Sequence, residues 1–212
     1  MTDFKELAKN LRKPEGEMGF KVAQNMNVGN ANTYMKMKQH LLLDASTKVL
    51  EIGFGNGITS KSIIEQCDYV GMDYSSDMVT LAKDLCKEEV QKGAKFIQGD
   101  IHQMPFDDHA FDVIFTINTI YFWDKPEQAV AELRRVLKPE GKLLIGMRTP
   151  EDMQLLHNVT QHNFNIRSFV IIEELLRNGG FPQMHYTVYP DAPAVKANGE
   201  VLRVHSAIVE AQ

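Results

Sequence analysis

At 212 residues, 43% hydrophobic and 24% charged, the chain has the make-up of an ordinary globular protein and is long enough to bury one sizeable core. A formal charge of -5 argues against a broad phosphate-binding face, and so against a nucleic-acid partner. No apolar run approaches the roughly 20 residues of a membrane span. The mixed-charge stretch Met1 to Lys13 holds no signal-peptide core, and Cys67 and Cys86 are the only cysteines. The expected setting is therefore reducing and cytoplasmic, with neither a disulfide framework nor a thiolate metal site.

Phe4, Leu7, Ala8 and Leu11 fall on one face of a helix predicted over residues 3–12, which Pro14, Gly16 and Gly19 bring to an end. The stretch Asn25 to Asn32, rich in Asn and Gly, reads as a loop; Asn30 or Asn32 would cap a helix over 33–43. From Lys48 strands and helices alternate: a strand over 48–52, a helix over 58–66, a strand over 69–73, a helix over 76–92 capped by Ser75 or Ser76, and a strand over 95–98. A strand over 111–117, a helix over 127–137 and a strand over 142–147 continue the rhythm. The alternation implies a mostly parallel sheet with helices on both faces. Beyond it come a helix over 168–178, stopped at Gly179-Gly180, and strands over 185–189 and 201–209.

Three glycines, Gly53, Gly55 and Gly57, follow the first of the alternating strands, with Glu51 just before them. Glycines at such a strand end let a ligand approach the backbone, although a bare turn has the same composition. The dinucleotide fingerprint G-x-G-x-x-G/A needs a small residue where this chain has Ile58. Asp73, at the end of the next strand, suits a carboxylate that accepts both hydroxyl protons of a ribose, a device that does not by itself choose the cofactor.

Glu51-Ile52-Gly53-Phe54-Gly55-Asn56-Gly57 resembles the first motif, [D/E]-x-G-x-G-x-G, of the class I S-adenosylmethionine-dependent methyltransferases. Met104-Pro105-Phe106-Asp107-Asp108-His109-Ala110-Phe111-Asp112-Val113-Ile114 follows a further pattern of that family, L-P-F-x-D-x-x-F-D-x-V. Arg135-Val136-Leu137-Lys138-Pro139-Glu140-Gly141 is similar to its R-V-L-K-P-G-G turn, with Glu140 in the first Gly position. The resemblance runs from about Lys48 to Met147 and is nearest to the type 11 and ubiquinone/menaquinone-biosynthesis branch. It implies a Rossmann-like, doubly wound α/β fold with a seven-stranded sheet whose last strand is antiparallel, under an N-terminal helical lid. It also implies S-adenosyl-L-methionine as cofactor, held by Glu51, Gly53, Gly55, Gly57 and Asp73. Asp100 would face the adenine amino group, the Ile101 amide a ring nitrogen, and the backbone at Asn118 the methionine part.

Methyl transfer from a sulfonium needs alignment and exclusion of water, and a general base only if the acceptor must lose a proton. The chemistry is expected beyond the fourth strand, at Thr116 to Trp123, where many relatives carry a histidine and this chain carries Tyr121, Phe122 and Trp123. Tyr121 either orients the acceptor through its hydroxyl or is packed with its neighbours. Asn118-Thr119-Ile120-Tyr121 lacks both prolines of the [D/N]-P-P-[Y/F] signature of amino methyltransferases, and no catechol-type set of metal-binding carboxylates is found. The expectation is a metal-independent enzyme acting on a small apolar or aromatic acceptor, with no metal ligands. Met18, Phe20, Met26, Tyr34, Met35 and Met37 on one side, and 148–167 with Met153, His157 and His162 on the other, would close the acceptor pocket. Asn27, Gly29 and Asn30 would form a polar loop over the cofactor. The expected domain spans 1–212: a lid over 1–44, a cofactor-binding core over 45–148 and an acceptor-side segment over 149–212. A cofactor-binding protein without turnover and a nicotinamide-dependent oxidoreductase are the competing readings.

Overall fold

The computed structural model describes residues 3–191, 194–195, 201–202 and 204–212. The chain begins with three helices: α1 (Phe4–Arg12), α2 (Gly16–Gly29) and α3 (Ala31–His40). Asp3 caps α1 by accepting the backbone N–H groups of Lys5 and Glu6 at 3.0 and 3.1 Å. The stretch Asn25 to Asn32, expected as a loop, is instead the end of α2 and the start of α3. Gly16 takes φ 59° and turns the chain out of α1. Gly19 then packs so closely on Pro14 that a Cβ there would sit 2.6 Å from the proline carbonyl carbon. With Val22 and Ala23 buried, tertiary packing outweighs the weak helix preference of the asparagines. Asn30 joins α2 to α3 without a side-chain cap, contrary to expectation; its carboxamide oxygen is taken by Asn118, described below.

The alternating part follows as β1 (Lys48–Ile52), α4 (Lys61–Ile64), β2 (Asp68–Asp73), α5 (Ser76–Leu85), α6 (Lys87–Gln91), β3 (Lys95–Gln98), β4 (Phe111–Ile117), α7 (Pro126–Val136) and β5 (Leu137–Arg148). The helix expected over 58–66 shrinks to α4, because the glycine turn continues through its first residues. The one expected over 76–92 breaks at Cys86, whose backbone leaves the helical region as its side chain is buried against Gly57. Ser75 caps α5, accepting from the Met78 N–H at 3.2 Å.

Two short helices, α8 (Pro150–Gln154) and α9 (His157–Thr160), lead to α10 (Phe169–Asn178), β6 (Met184–Pro190), β7 (Ala194–Val195), β8 (Val201–Leu202) and β9 (His205–Ala211). The strand expected over 201–209 is thus divided: β8 pairs with β7, and the strand that enters the main sheet starts at His205; Arg203 between them lies outside the described residues. The seven-stranded sheet runs β3-β2-β1-β4-β5-β9-β6. Neighbours from β3 to β5 are parallel, while β9, the last strand of the chain, is antiparallel to both β5 and β6.

Central β1 is buried from Val49 to Ile52, as a strand covered on both faces must be. One face packs Leu50, Ile114 and Ile145 under α7 and α10, around Leu133, Ile172 and Phe181. The other packs Val49, Phe115 and Leu144 against α3, α4 and α5 through Met37, Ile63 and Ala82. The chain leaves β1 toward β2 and β3 and later returns on the opposite side as β4. The carboxyl ends of β1 and β4 therefore splay apart at a topological switch point, where ligands of such sheets bind. Among the described residues no helix is long and apolar enough to cross a membrane.

Candidate active site

The loop after β1 owes its course to its glycines. Gly53 has φ 77°, and a Cβ on it would lie 2.4 Å from the Thr119 methyl, so the loops after β1 and β4 meet only because that atom is missing. Thr119 is fixed by a hydroxyl contact of 2.6 Å to Thr116, whose own hydroxyl donates to the Ile52 carbonyl at 2.8 Å. Gly55, at φ 61°, has nothing within 4 Å of its would-be Cβ and presents bare backbone to a cavity. Gly57 does neither; it packs beneath, against Ala82, Cys86 and Phe96.

Asp73 stands at the tip of β2, 7% exposed, accepting the Gly55 and Ser75 N–H groups at 2.9 Å each. Burial pushes its carboxyl up to about 6 in spite of those bonds. Glu51, 1% exposed, lies below the loop and outside the cavity wall. It accepts the hydroxyls of Tyr34, from α3, and of Tyr69, the latter at 2.7 Å. Burial raises Glu51 to about 7, and the neighbouring Asp73 adds to the effect. Asp100 accepts both the backbone N–H and the Nδ1–H of His102, at 2.9 and 2.6 Å. His102 Nε2 in turn accepts the Lys125 N–H at 3.3 Å.

These elements enclose a cavity of about 190 Å³ at the carboxyl ends of β1, β2 and β4. Gly53, Gly55, Asp73, Asp100, Ile101 and Asn118, all expected at the cofactor, converge on it. Glu51 and Gly57 do not: the first braces α3 and the second packs under the loop, so both support the wall without forming it. Arg12 of α1 crosses the mouth to pair with Asp124 through both guanidinium nitrogens. Sequence reasoning missed this residue because it took α1 as an isolated amphipathic helix.

A second cavity, of about 170 Å³, adjoins the first and shares Leu11, Met26, Asn30, Asn118 and Phe122 with it. At the seam Asn118, held at φ 57°, donates from Nδ2 to Asn30 Oδ1 at 2.9 Å and accepts the Arg148 N–H at 3.0 Å. Met153, Leu156, Val159 and Phe164 complete an apolar wall. Tyr121 lines this second cavity and not the first; its hydroxyl, 2% exposed as a residue, donates to the Arg148 carbonyl at 2.8 Å. Burial drives its pKa well above the ordinary phenol value.

Of the residues expected around the acceptor, Met26 and Met153 line the second cavity and Tyr34 the first. Met37 is wholly buried core, whereas Met18, Phe20 and Met35 are exposed, because α2 and α3 turn only one face inward. His157 and His162 lie in neither wall, and of the anticipated polar loop Asn27 and Asn30 reach the first cavity from the end of α2. Leu156, Val159 and Phe164 fall within the expected 148–167 stretch but were not singled out in it, since α9 and the turns beside it are too short to show a period. Among the described residues no cluster of three or more His, Cys, Asp or Glu is placed to hold a metal ion.

Residues 50–145 match a family model described as a methyltransferase domain. Over this stretch the chain is similar to methyltransferase domains. It is 33% identical over 112 residues, 51% of this chain and 44% of the relative, to the uncharacterized methyltransferase YcgJ of Bacillus subtilis. It is 27% identical to the demethylmenaquinone methyltransferase of Thermotoga maritima, covering 76% of this chain and 69% of that one. The chain spans about half the length of YcgJ and of other curated relatives it matches. Among solved structures, Haemonchus contortus phosphoethanolamine N-methyltransferase 2, in complex with S-adenosylhomocysteine and phosphomonomethylethanolamine, superimposes with a TM-score of 0.72. At 14% identity, over 100% of this chain and 60% of that one, the likeness is one of fold.

Proposed function

We propose that this methyltransferase moves a methyl group from S-adenosyl-L-methionine to a small apolar or aromatic acceptor, without a metal. The observation that carries the reading is the pair of adjoining cavities with a shared wall at the switch point. The first fits the cofactor on its own chemistry. Asp73 offers a buried carboxylate for the ribose, Asp100 and the Ile101 amide an acceptor and a donor for an adenine edge, and Gly53 and Gly55 an open backbone cradle. When bound, the cofactor supplies a methyl group on a positively charged sulfur.

The residues of the chain have the remaining work. Asn118, fixed between Asn30 and the Arg148 amide, sets the seam at which donor and acceptor meet. Leu11 and Met26 from the helical lid, with Phe122, keep water out of both cavities. Alignment of this kind accounts for as much as ~7–11 kcal/mol of a barrier. Tyr121 shapes the acceptor cavity through its fixed hydroxyl and holds its proton, so its place is orienting and not basic. Residues 1–44 act as lid, 45–148 as cofactor-binding core and 149–212 as the acceptor side. The alternative readings find less support: Ile58 occupies the position where a dinucleotide fingerprint needs a small residue, and a binder without turnover needs no second cavity.

Calorimetry should give S-adenosylhomocysteine a micromolar dissociation constant, roughly -8 kcal/mol, and no heat with NAD. The reverse order would overturn the reading. Transfer to any acceptor found should persist in EDTA; loss that magnesium restores would overturn the metal-free mechanism.

A further inference from the structure

Arg148, at the end of β5, stands out among the described arginines. Arg12 pairs with Asp124, Arg135 with Glu132 and Arg177 with Glu173, while Arg134 and Arg167 donate to backbone carbonyls. Among the described residues the Arg148 guanidinium has no such partner; only its backbone is engaged, by Asn118 and Tyr121. Arg148 is half-buried and lines the second cavity, whose described wall contains no Asp, Glu, Lys or His. Its charge also reaches the Tyr121 hydroxyl, where it opposes the dominant effect of burial. A guanidinium without a counter-ion beside an apolar cavity favours a planar anion that it can engage through two parallel hydrogen bonds.

Volume narrows the ligand further. An apolar cavity of about 150 Å³ takes up a benzene-sized molecule, and this one measures about 170 Å³. The wall also holds no general base, since Tyr121 keeps its proton. It therefore suits a molecule that needs no deprotonation there. We infer that the acceptor is a small organic monoanion, with a single-ring or short-chain apolar body between Phe164, Met153 and Leu156 and its carboxylate on Arg148. This rests on the methyl-transfer reading and makes Arg148 the determinant of acceptor charge.

The test compares benzoate with benzamide, which have the same shape and differ in charge, by NMR titration of the full chain with and without S-adenosylhomocysteine. Benzoate should bind about tenfold more tightly than benzamide. Arg148→Gln should erase the preference while leaving the S-adenosylhomocysteine dissociation constant unchanged, and Arg148→Lys should keep part of it. Phe164→Ala should weaken both probes together, which locates them in this cavity. Equal binding of the two probes, binding of neither, or a preference that survives Arg148→Gln would overturn the inference. Failure of the homocysteine derivative to bind the unaltered chain would instead count against the methyl-transfer reading, because the benzoate preference is measured in its absence as well.

Discussion

The two cavities are built from different material. The first has a floor of strand ends and backbone under its covering helices: Gly53 and Gly55 at positive φ, the amides that hold Asp73, and the close approach of Thr119 to Gly53. The second is walled largely by side chains, among them Met153, Val159 and Phe164, and shares Leu11 and Met26 with the first. A wall of backbone cannot be reshaped without moving the sheet, whereas a wall of Leu, Met and Phe can be repacked at a cost that volume-conserving swaps keep small. One fold can thus keep a constant donor beside a variable acceptor. The contrast predicts that substitutions on the first side have larger effects than those at its rim.

The largest effect is expected at Gly53. Gly53→Ala places a Cβ against the Thr119 methyl and forces an alanine to positive φ, which alone costs about 1–3 kcal/mol. S-adenosylhomocysteine binding should fall by about a hundredfold or more, with a lowered melting temperature. Calorimetry showing unaltered affinity would mean that the two loops part without consequence for the site.

A middle effect is expected at Asp73. Asp73→Asn keeps an oxygen for one of the amides of Gly55 and Ser75 but loses the charge that ribose hydroxyls would use, about 1.5–3 kcal/mol. The dissociation constant should rise about tenfold or more. Because burial lifts Asp73 to about 6, affinity in the unaltered chain should weaken as pH falls through that value, since the protonated carboxyl can no longer accept both hydroxyls. A pH-independent affinity between 5 and 8, measured by titration calorimetry, would place the ribose elsewhere.

The smallest effect is expected at the rim. The Arg12–Asp124 pair spans the mouth of the first cavity with side chains 30% and 51% exposed, and exposed pairs contribute about 0–1 kcal/mol. Arg12→Ala should leave the melting temperature almost unchanged and speed cofactor release by a few-fold in stopped-flow. A large loss of affinity would make α1 part of the binding surface and not merely its cover.

The same contrast explains which parts were legible in the sequence. Backbone-made features leave strict traces: a glycine where φ must be positive, an acid at a strand tip, a proline and glycine between α7 and the body of β5. Gly53, Gly55, Asp73 and Asp100, which line the first cavity, were therefore legible in the sequence, and the sheet with them. Side-chain-made features leave almost none. The Asn- and Gly-rich end of α2 reads as a loop because what makes it helical is the burial of Val22 and Ala23, a tertiary fact. Leu156 and Val159 sit in segments too short for a hydrophobic period, and the isolation of Arg148 depends on where five other arginines find their partners.

Glu51 has a consequence for the chain as a whole. Its carboxyl titrates near 7 when folded, against 4.5 for an ordinary glutamate, so between those values the folded chain holds a proton that the unfolded chain has released. Folding near neutrality thus takes up acid, and the stability tied to this group is complete below about pH 4.5 and is lost as pH rises through 7. Tyr34 carries that proton balance from the sheet out to α3, through the hydroxyl it donates to Glu51. The tether between the covering helices and the strand core thus ends on a carboxyl whose proton is exchanged near neutrality.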